Sequence, residues 1–422
     1  MKPDTDVLIV GGGPSGSFTA LNLAKLGVRV TVLEEHNEVG FPPHCAGHLS
    51  IGGLARLGLF PLASDIIENV FYGATFYSAK GNAFSVNLDW PVTCAVNRTL
   101  FDRHIAQLAE KESVKFRLNT RVEALIFERN STRGVVVNHQ GRREEIRSKI
   151  VVDAEGVTSR LLKQTGLRST NNLQVIKGLE AELENVENTS LENVEVYLGQ
   201  DYAPKFYAWL IPKPGGRAKV GLGAGHGDPR EFLKKFMVEH PIASRKLRKA
   251  RVLSLAFHPI TLGGLIPSAC ADGFLTVGDA AGQVKPTTGG GVIFGLTCAR
   301  VAADVVKAAI DNGDYSARSL HPYQTRIDSQ FGFDEKMMLT MRRMLDMLSD
   351  EQVDSLIKFC VDFKLDKALR SVEDLDFQGR SLLKTLRNPR VIAGLGYFAY
   401  ILLHTNPYRN ISTSETRSGR DN

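Results

Sequence analysis

Cysteine is scarce in this chain of 422 residues: Cys45, Cys94, Cys270, Cys298 and Cys360 stand far apart, and no CxxC pair occurs. An odd, scattered set does not build a disulfide framework or a thiolate zinc site, and it points to a reducing compartment. Long apolar runs are missing too. The longest, Val391 to Leu403, covers about 13 residues where a bilayer span needs about 20. It reads either as a buried core helix or as a helix resting on a membrane surface. No internal repeat and no low-complexity tract is present, which excludes solenoid, collagen-like and disordered classes. Met1-Lys2-Pro3-Asp4 leads straight into a strand-like run, so no secretory leader is expected. A strong charge excess is also lacking, since 52 Lys and Arg against 46 Asp and Glu leave +6. That balance permits an anionic partner, such as a membrane surface or a phosphate-bearing ligand, without requiring one. No nucleic-acid partner is expected. The compartment expected is the cytoplasm, with the inner face of the membrane as the alternative seat.

Glycine is more generous, at 39 residues. Asp6 to Val10 is a short branched apolar run that reads as a buried parallel strand. Gly11-x-Gly13-x-x-Gly16 follows, then helical spacing from Ser17 to Leu26, a second strand from Val28 to Leu33, and Glu34 at its end. A GxGxxG alone is a weak signal, but between a strand and a helix, with an acid about 20 residues on, it fits a dinucleotide. The first glycine makes the tight turn, the second lets the pyrophosphate reach the backbone, and the third lets the helix pack on the strand. Ser15 lies at the helix start, where the dipole favours phosphate. Glu34 is placed to accept from the adenosine ribose.

Two later segments choose FAD over NAD. Asp153-Ala-Glu155-Gly156 follows a strand and opens a helix. Gly278-Asp279 follows another, and Pro286-Thr-Thr-Gly289-Gly290-Gly291 opens a long helix running to about residue 310. Asp279 suits ribityl hydroxyls, and a glycine-rich helix start suits the negative charge of reduced flavin.

Together these segments resemble the p-hydroxybenzoate-hydroxylase-like FAD superfamily over roughly residues 1–310. The resemblance implies cofactor contacts from Arg98, which opens the helix Arg98 to Lys111, and from Val122 and Cys45. One departure is Glu155-Gly156, where the superfamily usually has Asp-Gly. Pro204-x-x-Tyr207-x-Trp209-x-Ile211-Pro212, followed by Gly221-x-Gly223, is similar to the PxxYxWxFP…GxG signature of the geranylgeranyl reductase family, with Ile211 in place of Phe. The loop Gly40 to Ser50, carrying Cys45, resembles that family's cysteine loop. The resemblance implies reduction of isolated isoprenoid double bonds, with catalytic roles for Cys45, Tyr207 and Trp209 and substrate contacts from Tyr207, Trp209 and Gly221. Tyr207 and Trp209 alternate along a strand, so both rings face one side, where they suit a greasy chain and a developing cation. Cys45 either shapes the site or relays a proton. Read as metal ligands, His44-Cys45-x-x-His48 lacks a fourth partner, and no metal is expected.

The expected fold is α/β. A Rossmann-type FAD-binding domain (1–70, 95–170 and 262–315) carries an inserted antiparallel β-sheet substrate domain (71–94 and 171–261), and a helical region (316–422) covers the substrate end. With one dinucleotide fingerprint, the electron donor stays open between NAD(P)H, a ferredoxin and a deazaflavin. Two alternatives stand beside the reductase reading. One is a flavin-dependent monooxygenase or halogenase, because Tyr207-x-Trp209-x-Ile211-Pro212 approaches the WxWxIP signature. The other is a non-redox prenyl-binding flavoprotein. The basic residues Arg245, Lys246, Arg248, Lys249 and Arg251 read as a solvated helix face or as a seat for anionic lipid.

Overall fold

A computed structural model describes residues 4–43, 45–168, 174–370 and 374–404. His44, one of the metal-ligand candidates, lies outside them. The apolar run near the start becomes the strand Thr5–Val10, buried along its whole length. It lies between Val30–Leu33 and Arg142–Asp153, parallel to both. Lys115–Arg117 and Phe274–Thr276 extend this parallel core on its two sides. A parallel sheet needs cover, and unbroken Val, Ile and Leu runs supply faces that helices can bury. The helix Pro14–Lys25 packs against both Arg98–Lys111 and Val292–Asn312. Arg98–Lys111 starts where expected because the Asn97 side chain accepts from Leu100 N at 3.2 Å. Val292–Asn312 ends on Gly313, whose φ of 66° lies in the left-handed region.

The inserted part is a seven-stranded sheet in the order Arg251–Thr261, Val175–Glu184, Arg217–Ala224, Ala208–Lys213, Asn193–Leu198, Gly73–Ser78, Ala83–Asn87. All its pairs are antiparallel except Asn193–Leu198 with Gly73–Ser78, which is parallel. The exception has a chain reason: Gly73–Ser78 belongs to the earlier segment, so no hairpin turn dictates its direction. Its own core holds Leu179, Ala181, Tyr197, Leu222 and Phe236. A three-stranded sheet of His48–Ser50, Thr93–Val96 and Ile67–Phe71 lies beside the cysteine loop.

The C-terminal region is helical, as the Met and Leu spacing implies. Pro322–Asp346 packs against Val292–Asn312. Asp350–Asp362 opens with a capping box between Ser349 and Gln352. It docks on the hairpin Gly73–Ser78/Ala83–Asn87 through Asp354, which accepts from Ser78 Oγ at 2.5 Å and Asn82 Nδ2 at 2.6 Å. Among the described residues, no helix is long and apolar enough to cross a membrane. The basic cluster is in part engaged in ion pairs, while Arg245 and Arg248 are exposed. Lys246 is buried against Glu195 at 2.6 Å, and Lys249 and Arg251 pair with Glu187 and Glu184.

Candidate active site

One cavity of about 1060 Å³ runs from the glycine-rich turn to the C-terminal helices. Two helix N-termini open onto it. Pro14–Lys25 begins at Gly13, with no capping side chain and no acid in its first turn. Val292–Asn312 begins in the same way at Gly291. Unpaired N–H groups and the positive ends of two helix dipoles therefore favour anionic groups at two places on the wall.

The three glycines behave differently. A Cβ on Gly11 would lie 2.4 Å from the Ala154 carbonyl oxygen, and one on Gly16 would lie 2.0 Å from that of Gly11. Those two allow strand, turn and helix to pack. A Cβ on Gly13 would meet no protein atom within 4 Å. The room in front of Gly13 suits a ligand, which is what a pyrophosphate cradle requires. Glu34 is fixed by Gly12 N, which donates to its Oε2 at 2.7 Å, and by His36 N, which donates to Oε1 at 3.0 Å. Its carboxylate is thus held at the strand end, on the cavity wall.

Deeper in the cavity, Asp279 sits in the turn Gly278–Ala281. Its enclosure raises the carboxyl to about 6, and Arg98 opposes that rise. Arg98 pairs with Asp102 at 2.9 Å. Burial works against the guanidinium charge, while Asp102 and the neighbouring Cys45 sulfur hold it protonated. Arg98, Cys45 and Asp279 thus form one polar group at the turn of the wall.

Tyr207 lies just before the strand Ala208–Lys213, not on it with Trp209 as expected, and its Oη donates to the Thr288 carbonyl at 2.7 Å, tying the start of that strand to the glycine-rich turn before Val292–Asn312. Burial pushes this phenol well above its ordinary range. Phe206 stacks on Tyr207 at 4.2 Å, and Trp209 meets Tyr207 edge-on at 6.0 Å. Trp209 pairs across the sheet with Gly221, where a Cβ would lie 2.4 Å from the indole. Gly221 therefore leaves space for the Trp209 ring.

Most of the residues singled out in the sequence come together here. Gly11, Gly13, Ser15, Glu34, Cys45, Arg98, Val122, Tyr207, Trp209, Asp279, Gly289, Gly290 and Gly291 all line the cavity. Gly16, Pro286 and Gly221 do not. Gly16 packs the helix, Pro286 is buried between the lining residues Lys285 and Thr287, and Gly221 stands behind Trp209. Glu155 is on the wall, but its carboxylate accepts from Arg160 N and Leu161 N, each at 2.9 Å, and so caps the helix Arg160–Gln164. His48 also opens onto the cavity, beside Thr93 Oγ1 at 2.7 Å. Enclosure and Lys285 lower it to about 4, so its ring is neutral.

Sequence reasoning missed Glu180, Lys285, Leu375 and the helical wall of Arg342, Leu345 and Leu382. For Glu180 a signal existed: Glu180, Glu182 and Glu184 alternate along one strand, and an acid mid-strand has to find partners or a cavity. The helical wall had none, because its distance in sequence hides which face turns inward.

Comparison with known proteins bears on this geometry directly. The FAD binding domain family matches residues 4–204, and the geranylgeranyl reductase catalytic domain family matches residues 175–257. The chain is 32% identical to the digeranylgeranylglycerophospholipid reductase of Methanocaldococcus jannaschii, over 83% of this chain and 89% of that one. The chain belongs to the geranylgeranyl reductase family. Another relative, digeranylgeranylglycerophospholipid reductase 1 of Methanosphaera stadtmanae, is 34% identical over 76% of this chain and 79% of its own. The crystal structure of a geranylgeranyl bacteriochlorophyll reductase-like protein from Thermoplasma acidophilum superposes with a TM-score of 0.82 at 27% identity, covering 93% of this chain and 99% of that one. A halogenase solved in complex with FAD shares the fold at 15% identity, with a TM-score of 0.68 over 95% of each chain. As a member of this family, the chain is an FAD-dependent oxidoreductase, and the halogenase alternative is not favoured.

Proposed function

We propose that this reductase saturates isolated double bonds of a geranylgeranyl chain carried on a membrane lipid. The observation that carries the reading is the continuity of one cavity, from the Gly11–Gly16 cradle through Asp279 to the Tyr207 and Trp209 rings and the apolar helical wall. Its volume of about 1060 Å³ lies at the upper end of the usual range for ligand sites, roughly 300–1,000 Å³.

Bound FAD supplies hydride in its reduced form. The protein's share is binding, orientation and proton handling. The N-termini at Gly13 and Gly291 hold negative charge, Glu34 takes the ribose and Asp279 the ribityl side. Tyr207 and Trp209 hold the alkene against the cofactor and face the positive charge that develops as it is protonated. Cys45, beside Arg98, shapes the turn of the cavity. In the three-part division above, each part contributes to the wall: the FAD-binding segments the cradle, the inserted sheet the aromatic wall, the helical region the apolar end.

Two further elements belong to this proposal. Electrons reach the FAD from a separate donor, NAD(P)H, a ferredoxin or a deazaflavin, which a donor panel sorts out. The protein also rests on the inner face of the membrane through the helix Pro389–Leu403, where Ile392, Tyr400 and Leu403 are exposed beside Arg387 and Arg390. The reductase reading is tested by reducing the purified protein without oxygen and adding a geranylgeranyl lipid. Flavin reoxidation with two hydrogens gained per bond is expected. Reoxidation that needs oxygen and leaves the lipid mass unchanged, or adds an oxygen atom, overturns it.

A further inference from the structure

We infer that Glu180 is the acid that protonates the alkene, a proposal that rests on the reductase reading above. An isolated double bond accepts hydride at one carbon only as a proton arrives at the other, so the cavity needs a protonated group beside the aromatic wall. Most acids on that wall are committed elsewhere. Asp102 holds Arg98, Glu155 caps a helix, Glu195 is buried against Lys246, and Asp350 accepts from Gln200 N at 2.6 Å.

Glu180 is placed differently. It sits mid-strand in Val175–Glu184, on the cavity wall, and its Oε2 accepts from the Trp209 indole Nε1 at 3.1 Å. Among the described residues, the nearby Lys213, Arg217 and Lys219 form their ion pairs with Glu68 and Glu182 and not with Glu180. The donor that fixes it is therefore neutral and belongs to the very ring that faces the alkene. Trp209 orients the carboxyl without forcing it to ionise, which leaves the other oxygen to carry a proton into the cavity.

The groups around it set its balance. Enclosure is the largest influence and raises the carboxyl. Lys219 and the indole hydrogen bond lower it, Glu182 and Glu68 raise it again, and it stands at about 7. Lys219 is largely engaged: its Nζ lies 2.7 Å from Glu68 Oε2 and donates to the carbonyls of Ala46 and Val96, each at 3.1 Å. Lys213 bridges Glu68 and Glu182, and Arg217 reaches Glu182 at 3.4 Å from a half-exposed position. His258, on the neighbouring strand Arg251–Thr261, also lines the cavity. An acid poised near neutrality serves proton donation best. In the step, the Glu180 proton goes to one alkene carbon and the hydride of the reduced cofactor to the other. The π bond breaks, two C–H bonds form, and the carboxylate regains its proton from solvent.

Glu180→Gln and Glu180→Asp test this in the FAD-loaded protein. For Glu180→Gln the expected result is unchanged FAD content and lipid binding with saturation slowed about 100-fold or more, and Asp recovers part of the rate. Wild-type turnover should fall as pH rises through about 7, and that limb should vanish in Glu180→Gln. The infrared difference between wild type and Glu180→Gln should show a protonated carboxyl band lost over the same range. Should the Gln variant not hold FAD, Trp209 reports instead. With Trp90→Phe it is the single tryptophan of the 2 in the chain, and its fluorescence should titrate near pH 7. Unaltered rate and pH profile in Glu180→Gln, or flat Trp209 fluorescence from about pH 5 to 9, overturns the assignment. A wild-type protein that saturates no lipid refutes the reductase reading instead, and leaves the carboxyl titration to be judged separately.

Discussion

Trp209 touches three groups: the Tyr207 ring at 6.0 Å, the Glu180 carboxyl at 3.1 Å and the bare Gly221 backbone across the sheet. It also packs against a small core of Phe71, Ala95, Val194 and Ile211. Trp209→Ala therefore separates two roles. As a wall of the alkene site, its loss should leave FAD bound and slow single-turnover flavin reoxidation roughly 5- to 30-fold, the equivalent of about 1–2 kcal/mol of cation–π contact. Trp209→Phe should recover part of that. A purely structural tryptophan would instead lower the melting temperature by the equivalent of about 3–5 kcal/mol and spare the rate per folded molecule. Both quantities can be read on the same preparations. Gly13→Val is the matching test on the cofactor side. No protein atom stands within 4 Å of a Cβ there, so the variant should fold and lose its FAD. A folded, fully yellow Gly13→Val protein would show that the pyrophosphate lies elsewhere.

At the scale of elements, the docking of Asp350–Asp362 on the inserted sheet rests on Asp354. Burial alone would raise this carboxyl, but Ser78, Asn82 and Lys358 hold it down at about 2. A depressed carboxylate contributes stability above its unfolded value of 3.8, and that contribution is lost as pH falls towards about 2. Asp354→Asn should lower the melting temperature at neutral pH by the equivalent of about 1–3 kcal/mol and narrow the difference from wild type as the pH drops through that window. The helix Pro389–Leu403 gives another expectation: Ile392→Glu with Leu403→Glu should reduce co-sedimentation with anionic vesicles and leave activity on detergent-dispersed lipid intact. Equal sedimentation would remove this helix from the membrane contact. The elements differ in how readable they were. The glycine-rich turn was legible because Gly11 and Gly16 answer local steric demands while Gly13 faces open room, and Arg98–Lys111 because Asn97 caps it from within its own sequence. Gly221 read as a substrate contact because its role depends on lying opposite Trp209, a register set by sheet pairing. The parallel pairing of Gly73–Ser78, the ion pairs that engage much of the basic cluster and the inward face of the C-terminal helices likewise depend on partners far away in sequence.

Across the whole molecule, the cavity is where the sheets and helices meet. The parallel sheet brings Gly11, Glu34 and Asp153–Glu155 to one edge, and the long helix Val292–Asn312 returns the chain to it. The seven-stranded sheet sets Tyr207, Trp209 and Glu180 opposite that edge, and the C-terminal region closes the far side with Leu345, Leu375 and Leu382. Gene-level deletion of the helical region would expose the apolar cores it shares with the rest, so single side chains test the arrangement better than truncation. The central claim is that cofactor and isoprenoid chain share this one cavity, with the reacting bond between Gly289–Gly291 and the Trp209 ring. The most direct measurement is an experimental structure of the protein with FAD and a geranylgeranyl lipid under reducing, oxygen-free conditions. The isoalloxazine ring is expected at the Gly289–Gly291 helix start, an alkene of the chain between it and Tyr207 and Trp209, and the tail along Leu345 and Leu382. A lipid chain bound outside this cavity, or a flavin ring facing away from Trp209, would contradict it.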